Sequence, residues 1–230
     1  LLSKNPDIKG KIKLASFNPR KVLGQFGIKL PATADANALQ RMSLDSSING
    51  SLNKLQLNDL QLVLDDTLIN GQINLSLGNR TSISHKLNLD QIDLDRYMPP
   101  VDTKQTNLGF INTAHAAPAA QLIPTDLLRS FDVKGSISGG ANTVNRMLAE
   151  NVKLSIALKN GDLRLNPISA SLYGGKYKGN IRVDASRKQD NRPLLSVNES
   201  LNNVQLGPVT KAMYDKDLIV GEGNVSAKLN

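Results

Sequence analysis

Few residues in this chain stand at spacings that could do chemistry, and each has a plainer explanation. A histidine beside a nucleophile and a carboxylate could run acyl transfer, but the chain has only two, His85 and His115. His85 falls within a run of alternating apolar residues and reads as a satisfied residue of an inner strand face or its rim. His115 sits in a stretch rich in Pro and Ala. Asp90, Asp93 and Asp95 have a suggestive spacing but lack the glycine and distal glutamate of a calcium loop. They read as strand-face solvation and helix capping. Asp65-Asp66 reads as a turn. Tyr173-Gly174-Gly175 lacks the lysine and hydroxyl residue of a phosphate loop, and reads as a turn at a strand end. With no Cys there is no disulfide scaffold and no thiolate metal site. No catalytic residue, metal or cofactor is expected, and the residues do not support an enzyme.

The remaining composition points to surfaces rather than to a reactive centre. Only 3% of the 230 residues are aromatic and none is Trp, so the apolar side is built from Leu, Ile, Val and Ala. Aromatic residues normally supply much of the energy of a compact core. The net charge of +8 suits an anionic partner, and an anionic membrane surface or lipid headgroup fits it better than nucleic acid. Lysines occur singly, as in Lys9, Lys11 and Lys13, and aromatic stacking platforms are missing. No stretch approaches the ~18 apolar residues of a membrane helix. The chain opens at Leu1-Leu2 without Met, and both ends read as cut, so a missing anchor says nothing about the parent protein.

The elements that would position these surfaces are strands. Apolar residues alternate at Leu60, Leu62 and Leu64; at Ile73, Leu75 and Leu77; at Ile83, His85, Leu87 and Leu89; and at Val152, Leu154, Ile156 and Leu158. Residues two apart share one face of a strand, so these runs predict antiparallel strands with one apolar and one polar side. The slip between Leu57 and Leu60 predicts a bulge at Asn58-Asp59. Six times a glycine takes the apolar parity, as in Ile8-Lys9-Gly10-Lys11-Ile12, Ile48-Asn49-Gly50, Ile69-Asn70-Gly71-Gln72-Ile73, Val133-Lys134-Gly135-Ser136-Ile137 and Tyr177-Lys178-Gly179-Asn180-Ile181, and less regularly at Gly223. Glycine inside a strand marks a bend or a close approach, and its recurrence predicts a sheet bent around its apolar side. Tightly packed core strands would show the same pattern. Parity runs unbroken through Asn49-Gly50 and Asn70-Gly71, so these are not hairpin turns. Turns are placed instead at Asn53-Lys54, Asp65-Asp66-Thr67, Gly78-Asn79 and Asn160-Gly161. Short helices are expected after Asn18-Pro19, from Asp93 to Met98, from Thr125 to Ser130 and from Gly207-Pro208, covering an end or edge of the sheet.

Periodicity disappears from Pro99 to Pro124. The chain is therefore read as a first β-groove segment, 1–98, a Pro- and Ala-rich linker or insertion, 99–124, and a second β-groove segment, 125–230.

Several stretches resemble the AsmA family. Leu172-Tyr173-Gly174-Gly175-Lys176-Tyr177-Lys178-Gly179 with Ile181-Arg182-Val183-Asp184 is similar to a signature near the C-terminal end of those proteins. Phe17-Asn18-Pro19-Arg20 with Leu30-Pro31, Leu64-Asp65-Asp66, Leu94-Asp95-Arg96-Tyr97-Met98-Pro99-Pro100, Leu163-Arg164-Leu165-Asn166-Pro167 and Val204-Gln205-Leu206-Gly207-Pro208 agree in order. The resemblance implies a Gram-negative periplasmic protein anchored in the inner membrane by a helix this chain lacks. It implies a role in outer-membrane biogenesis, through lipid homeostasis, phospholipid transport or outer-membrane protein assembly. Larger relatives resemble bridge-like lipid transfer proteins, whose curved sheets form a hydrophobic trough.

The expected fold is thus mainly β: a curved antiparallel sheet forming an elongated hydrophobic groove, with a few short capping helices. The expected lining is Leu62, Leu64, Ile73, Leu75, Leu77 and Leu87 in the first half, with Val152, Leu154, Ile156, Leu158, Ile181 and Val183 in the second. Gly50, Gly71, Gly135 and Gly179 would set the curvature. Filling the groove by Gly71→Leu or Gly179→Leu is expected to reduce lipid loading with the β-content intact. A strand of ~5–6 residues spans ~17–20 Å, against about 15 Å for half a bilayer's hydrocarbon core. One strand width can therefore shelter one acyl chain, and aliphatic walls suffice. The expected partner is phospholipid or another envelope lipid. Two readings stand: a lipid-handling trough, or a scaffold for outer-membrane assembly proteins whose apolar face is packed shut.

Overall fold

The computed structural model describes residues 6–25, 27, 30, 32–100, 125–187 and 193–229. Of these residues, 64% are in strands. Eleven strands form one sheet in which spatial order follows chain order: β1 (Ile8–Phe17), β2 (Met42–Ser51), β3 (Lys54–Leu64), β4 (Thr67–Ser76), β5 (Thr81–Asp93), β6 (Phe131–Val144), β7 (Met147–Lys159), β8 (Asp162–Leu172), β9 (Gly175–Asp184), β10 (Leu194–Gln205) and β11 (Glu222–Leu229). The sheet is open and curved. It spans both predicted β segments without a break. The segment read as a linker lies, from residue 101 to 124, outside the described residues, and His115 with it.

Nine of the ten strand junctions are antiparallel, as the alternation predicts. The exception is β5 with β6, which run parallel from Thr81↔Phe131 to Asp93↔Thr143. The connection between them therefore starts at one rim of the sheet and ends at the other.

Turns fall where unbroken parity requires. Asn49-Gly50 and Asn70-Gly71 lie inside strands, and the chain reverses at Leu52-Asn53, Asp65-Asp66, Gly78–Arg80, Asn160-Gly161 and Tyr173-Gly174. The slip at Asn58-Asp59 is a bulge against β4, with Asp59 at φ +51°. Further bulges occur at Asn151 in β7, at Asn166-Pro167 in β8 and at Asn203 in β10. Asp59, Asn151 and Asn203 have positive φ, a left-handed conformation that Asn and Asp tolerate, and each bulge bends its strand.

The helices are short, and one of them, Leu206–Tyr214, packs Leu206 and Val209 on Ala149, Leu172, Leu201 and Val204. Pro19–Gln25 is capped by Asn18, whose Oδ1 accepts the Lys21 N–H at 2.9 Å. Thr125–Ser130 leads into β6, and Leu206–Tyr214 joins β10 to β11. A single 3₁₀ turn, Leu94–Arg96, is capped by Asp93.

The parallel seam lacks the hairpin that ties antiparallel neighbours, and aspartates hold both of its ends. At one rim, Asp132 of β6 pairs with Arg80 at 2.6 Å and accepts the Asn160 N–H at 3.1 Å. At the other, Asp95 accepts the N–H groups of Asn145 and Arg146 in the β6–β7 turn, at 2.7 and 2.6 Å. From the same 3₁₀ turn, Arg96 pairs with Asp35 and Asp66, and the Tyr97 hydroxyl donates to Asp65. Asp65, 4% exposed, also accepts the N–H groups of Leu39, Gln40 and Arg41. The Leu64-Asp65-Asp66 and Leu94–Tyr97 stretches are thus one clasp that fastens the rim and the seam.

Burial alone would raise the Asp65 carboxyl, but the three N–H groups and the Tyr97 hydroxyl hold it below its ordinary 3.8. Its contribution is complete above about pH 4 and is lost as pH falls through the lower folded value. Asp65→Asn should lower stability by about 2–3 kcal/mol at neutral pH. It should also flatten the acid limb of the stability curve, as read by urea midpoints from pH 7 downward.

Candidate lipid-binding groove

Ladder partners line up the apolar residues in rows that cross the strands. The first runs Leu55, Leu75, Ile83, Val133, Leu158, Leu163, Val183 and Leu195. The second runs Ile48, Leu57, Ile73, His85, Gly135, Ile156, Leu165, Ile181 and Val197. The third runs Leu60, Gly71, Leu87, Ile137, Leu154, Ile168, Gly179 and Glu199. The fourth runs Leu44, Leu62, Ile69, Leu89, Gly139 and Val152, with Leu64 one rung beyond beside Met42 and Thr67. The bulges make this continuity possible. If the three-residue step from Leu57 to Leu60 ran as regular strand with no bulge at Asn58-Asp59, Leu60 and Leu62 would turn to the opposite face.

At one end of this face the helix Leu206–Tyr214 lays Leu206 and Val209 on Ala149, Leu172, Leu201 and Val204. Over the rest of the four rows no second sheet or helix layer is found among the described residues, yet several side chains there are hidden. Leu60 is 2% exposed, Leu158 3%, Val197 3% and Val183 5%. A flat single sheet would leave such side chains open to water on one side. Their burial accords with the curvature of the sheet. The opposite face stays wet: Lys9, Lys11, Gln56, Gln72, Lys86, Asn88, Lys134, Lys153, Lys178, Asn180 and Asn198 are all exposed. Near one rim the inner face opens into a cavity of ≈ 430 Å³, with Leu55, Leu75, Ile83, Val133 and Leu158 among its walls. At about 4.8 Å per strand, the face runs for roughly 48 Å from β1 to β11. Across it, the first to the fourth row covers about 20 Å of strand.

Eleven of the twelve residues expected to line the groove lie on this inner face. Leu77 keeps the parity but stands beyond the end of β4, at the rim and 42% exposed. Its N–H bonds the Asn53 carbonyl, which closes the hairpin end.

The four glycines sit in the same rows for two different reasons. Gly50 and Gly71 have φ of +136° and +151°, and a Cβ there would overlap the Lys54 and Lys86 carbonyl oxygens of the adjoining strands. They permit a close backbone approach where the sheet bends. Gly179 is instead roofed by a neighbour's side chain, and Gly135 meets both backbone and side chain. A Cβ on Gly135 would stand 2.3 Å from the His85 carbonyl oxygen and 2.6 Å from its Nδ1, and one on Gly179 would stand 2.5 Å from the Tyr177 hydroxyl. A leucine at Gly71 would thus press on backbone rather than simply fill the groove.

His85 is on the inner face, but its buried Nδ1 has no hydrogen-bond partner among the described residues. The three aspartates weighed as a calcium loop all accept backbone N–H groups: Asp90 from Leu68, Asp93 from Asp95, and Asp95 from Asn145 and Arg146. Glu199 also belongs to the inner face, although no motif or residue type picks it out in the sequence. The one signal for it is its parity with Val197 and Leu201, which turns its side chain inward with theirs.

The AsmA family model matches residues 18–230. The chain belongs to the AsmA family, which is associated with the bacterial envelope. No curated protein and no solved structure matches it. Among the described residues no helix is long and apolar enough to cross a membrane.

The two kinds of glycine environment can be separated from ordinary inner-row positions. Gly71→Ala should cost more than about 2 kcal/mol, because strained backbone and a backbone collision add. At Gly10 the nearest atom to a Cβ would be Ile48 Cγ2 at 3.9 Å, so Gly10→Ala should stay within about 0.5 kcal/mol of the parent. Urea unfolding of both variants checks the contrast.

Proposed function

We propose that this chain is the periplasmic part of an inner-membrane-anchored protein that shelters phospholipid acyl chains on its inner sheet face, and so contributes to outer-membrane biogenesis. The observation that carries the reading is a single-layer sheet whose aliphatic rows cross most of its strands, between β2 and β10, with only the helix Leu206–Tyr214 laid over one end of them among the described residues. Lipid tails need no directional contacts. Each buried methylene contributes about 0.8 kcal/mol, so a chain of about a dozen gains roughly 10 kcal/mol before the cost of ordering it. Curvature supplies the trough, and the polar back of every strand keeps the outside in water. Family membership supports the envelope setting. The positive charge of the chain suits anionic headgroups at the rims.

Native mass spectrometry of the chain purified gently from a bacterial periplasm tests this. Phospholipid should be bound at one or more molecules per chain. Leu154→Asn and Leu87→Asn place an amide in the third row and should each reduce bound lipid by roughly tenfold, the loss of one buried leucine's worth of transfer energy. Lys153→Ala, on the opposite face, should not. A folded protein that is reproducibly free of lipid would overturn the reading in favour of a scaffold for outer-membrane assembly proteins.

A further inference from the structure

Among the residues of the four inner rows, Glu199 is the sole carboxylate. Register sets it opposite Gly179 of β9 and Ala227 of β11. Its Oε1 accepts a hydrogen bond from the Tyr177 hydroxyl at 2.8 Å. Gly179 leaves the space for this pair, since a Cβ there would lie 3.4 Å from Glu199 Cγ as well as against the phenol. Burial, then the hydrogen bond and charge of Glu199, push the Tyr177 phenol above its ordinary range, so it stays a donor. The pair opens onto a small cavity of ≈ 90 Å³ whose other walls are Ser200, Leu201, Val225 and Ala227.

No described Lys, Arg or His makes an ion pair with Glu199. A carboxylate set among apolar walls with one hydrogen bond lacks the partners that normally compensate its loss of water. Covering Gly179 does not require a charge; an apolar side chain would do so without this cost. A ligand that brings a small cation would complete the site.

We propose that Glu199 and Tyr177 form a subsite for the primary ammonium headgroup of a lipid whose chains lie along the inner face. This rests on the lipid-groove reading. Tyr177 occupies one carboxylate oxygen and fixes the group's orientation. The second oxygen is left to accept from an –NH₃⁺, a charge-assisted bond among the strong ones. The cavity has room for an aminoethyl end. A trimethylammonium end is bulkier and has no N–H to donate, and an anionic glycerol headgroup is repelled by the carboxylate.

The test loads the whole chain from vesicles holding equal parts phosphatidylethanolamine, phosphatidylcholine and phosphatidylglycerol with matched acyl chains. Native mass spectrometry then counts bound lipid by class, and circular dichroism checks folding. Phosphatidylethanolamine should be enriched roughly tenfold over the other two, the usual worth of one charge-assisted hydrogen bond. Glu199→Gln should bring the ratio to that of the vesicles, and Tyr177→Phe should reduce it in part. Lipid bound without enrichment, or enrichment that survives Glu199→Gln, would overturn the subsite while leaving the groove reading intact. A lipid-free protein would overturn both.

Discussion

An apolar sheet face that no described part of its own chain covers, except the helix Leu206–Tyr214 at one end, is the constraint on which this structure depends. A sheet that is greasy on one side must normally bury that side against a helix layer or a second sheet. Here the described helices are short, so the sheet hides the rest of its face by curving around it. Curvature in turn dictates local detail. Bulges at Asn58-Asp59, Asn151, Asn166-Pro167 and Asn203 bend strands while keeping leucines on the inner side. Gly50 and Gly71 let backbones approach where side chains could not stand.

A sheet of this kind is only as continuous as its weakest junction. Most antiparallel neighbours are joined covalently through tight turns, but β5 and β6 meet in parallel with no hairpin between them. The polar clasps at the two rims answer that need: Arg80 with Asp132 at one end, and Asp95 on the β6–β7 turn at the other. They are charged groups at the rims, where Arg80 and Asp132 keep 31% and 27% exposure and water remains available, rather than fully buried ion pairs of doubtful worth. Carboxylates that look catalytic by spacing are thereby used up in holding backbone N–H groups, and the inner face is left almost free of charge. Glu199 is the exception, and an unpaired carboxylate there is what gives the otherwise featureless groove a point of chemical selectivity.

Much of this was legible in the sequence because a period of two is a local signal. Ile73, Leu75, Leu87, Leu154, Ile156 and Ile181 fall on one face by parity alone, and the three-residue gap from Leu57 to Leu60 marks its bulge. Unbroken parity through Ile69, Gly71 and Ile73 keeps Asn70-Gly71 inside a strand against its usual meaning as a turn. What parity cannot carry is where a strand stops or which strand lies beside it. Leu77 has the right parity but follows the last residue of β4. The parallel seam depends on pairing Thr81 with Phe131, far apart in the chain, which no local pattern encodes. The distinct roles of the glycines also depend on neighbours: Gly179 looks like Gly50 and Gly71 in sequence but is covered by the Tyr177 side chain, while Gly135 meets both the backbone and the ring of His85.

The central claim is that one face of this sheet, and not the other, holds acyl chains. Photo-crosslinking residues installed singly at adjacent positions test it directly, because neighbours along a strand point to opposite sides. With the chain loaded from vesicles of radiolabelled phospholipid, label should attach from positions 87, 154 and 156 and not from 86, 153 and 155. Equal labelling from both sets, or none from the first, would contradict the account.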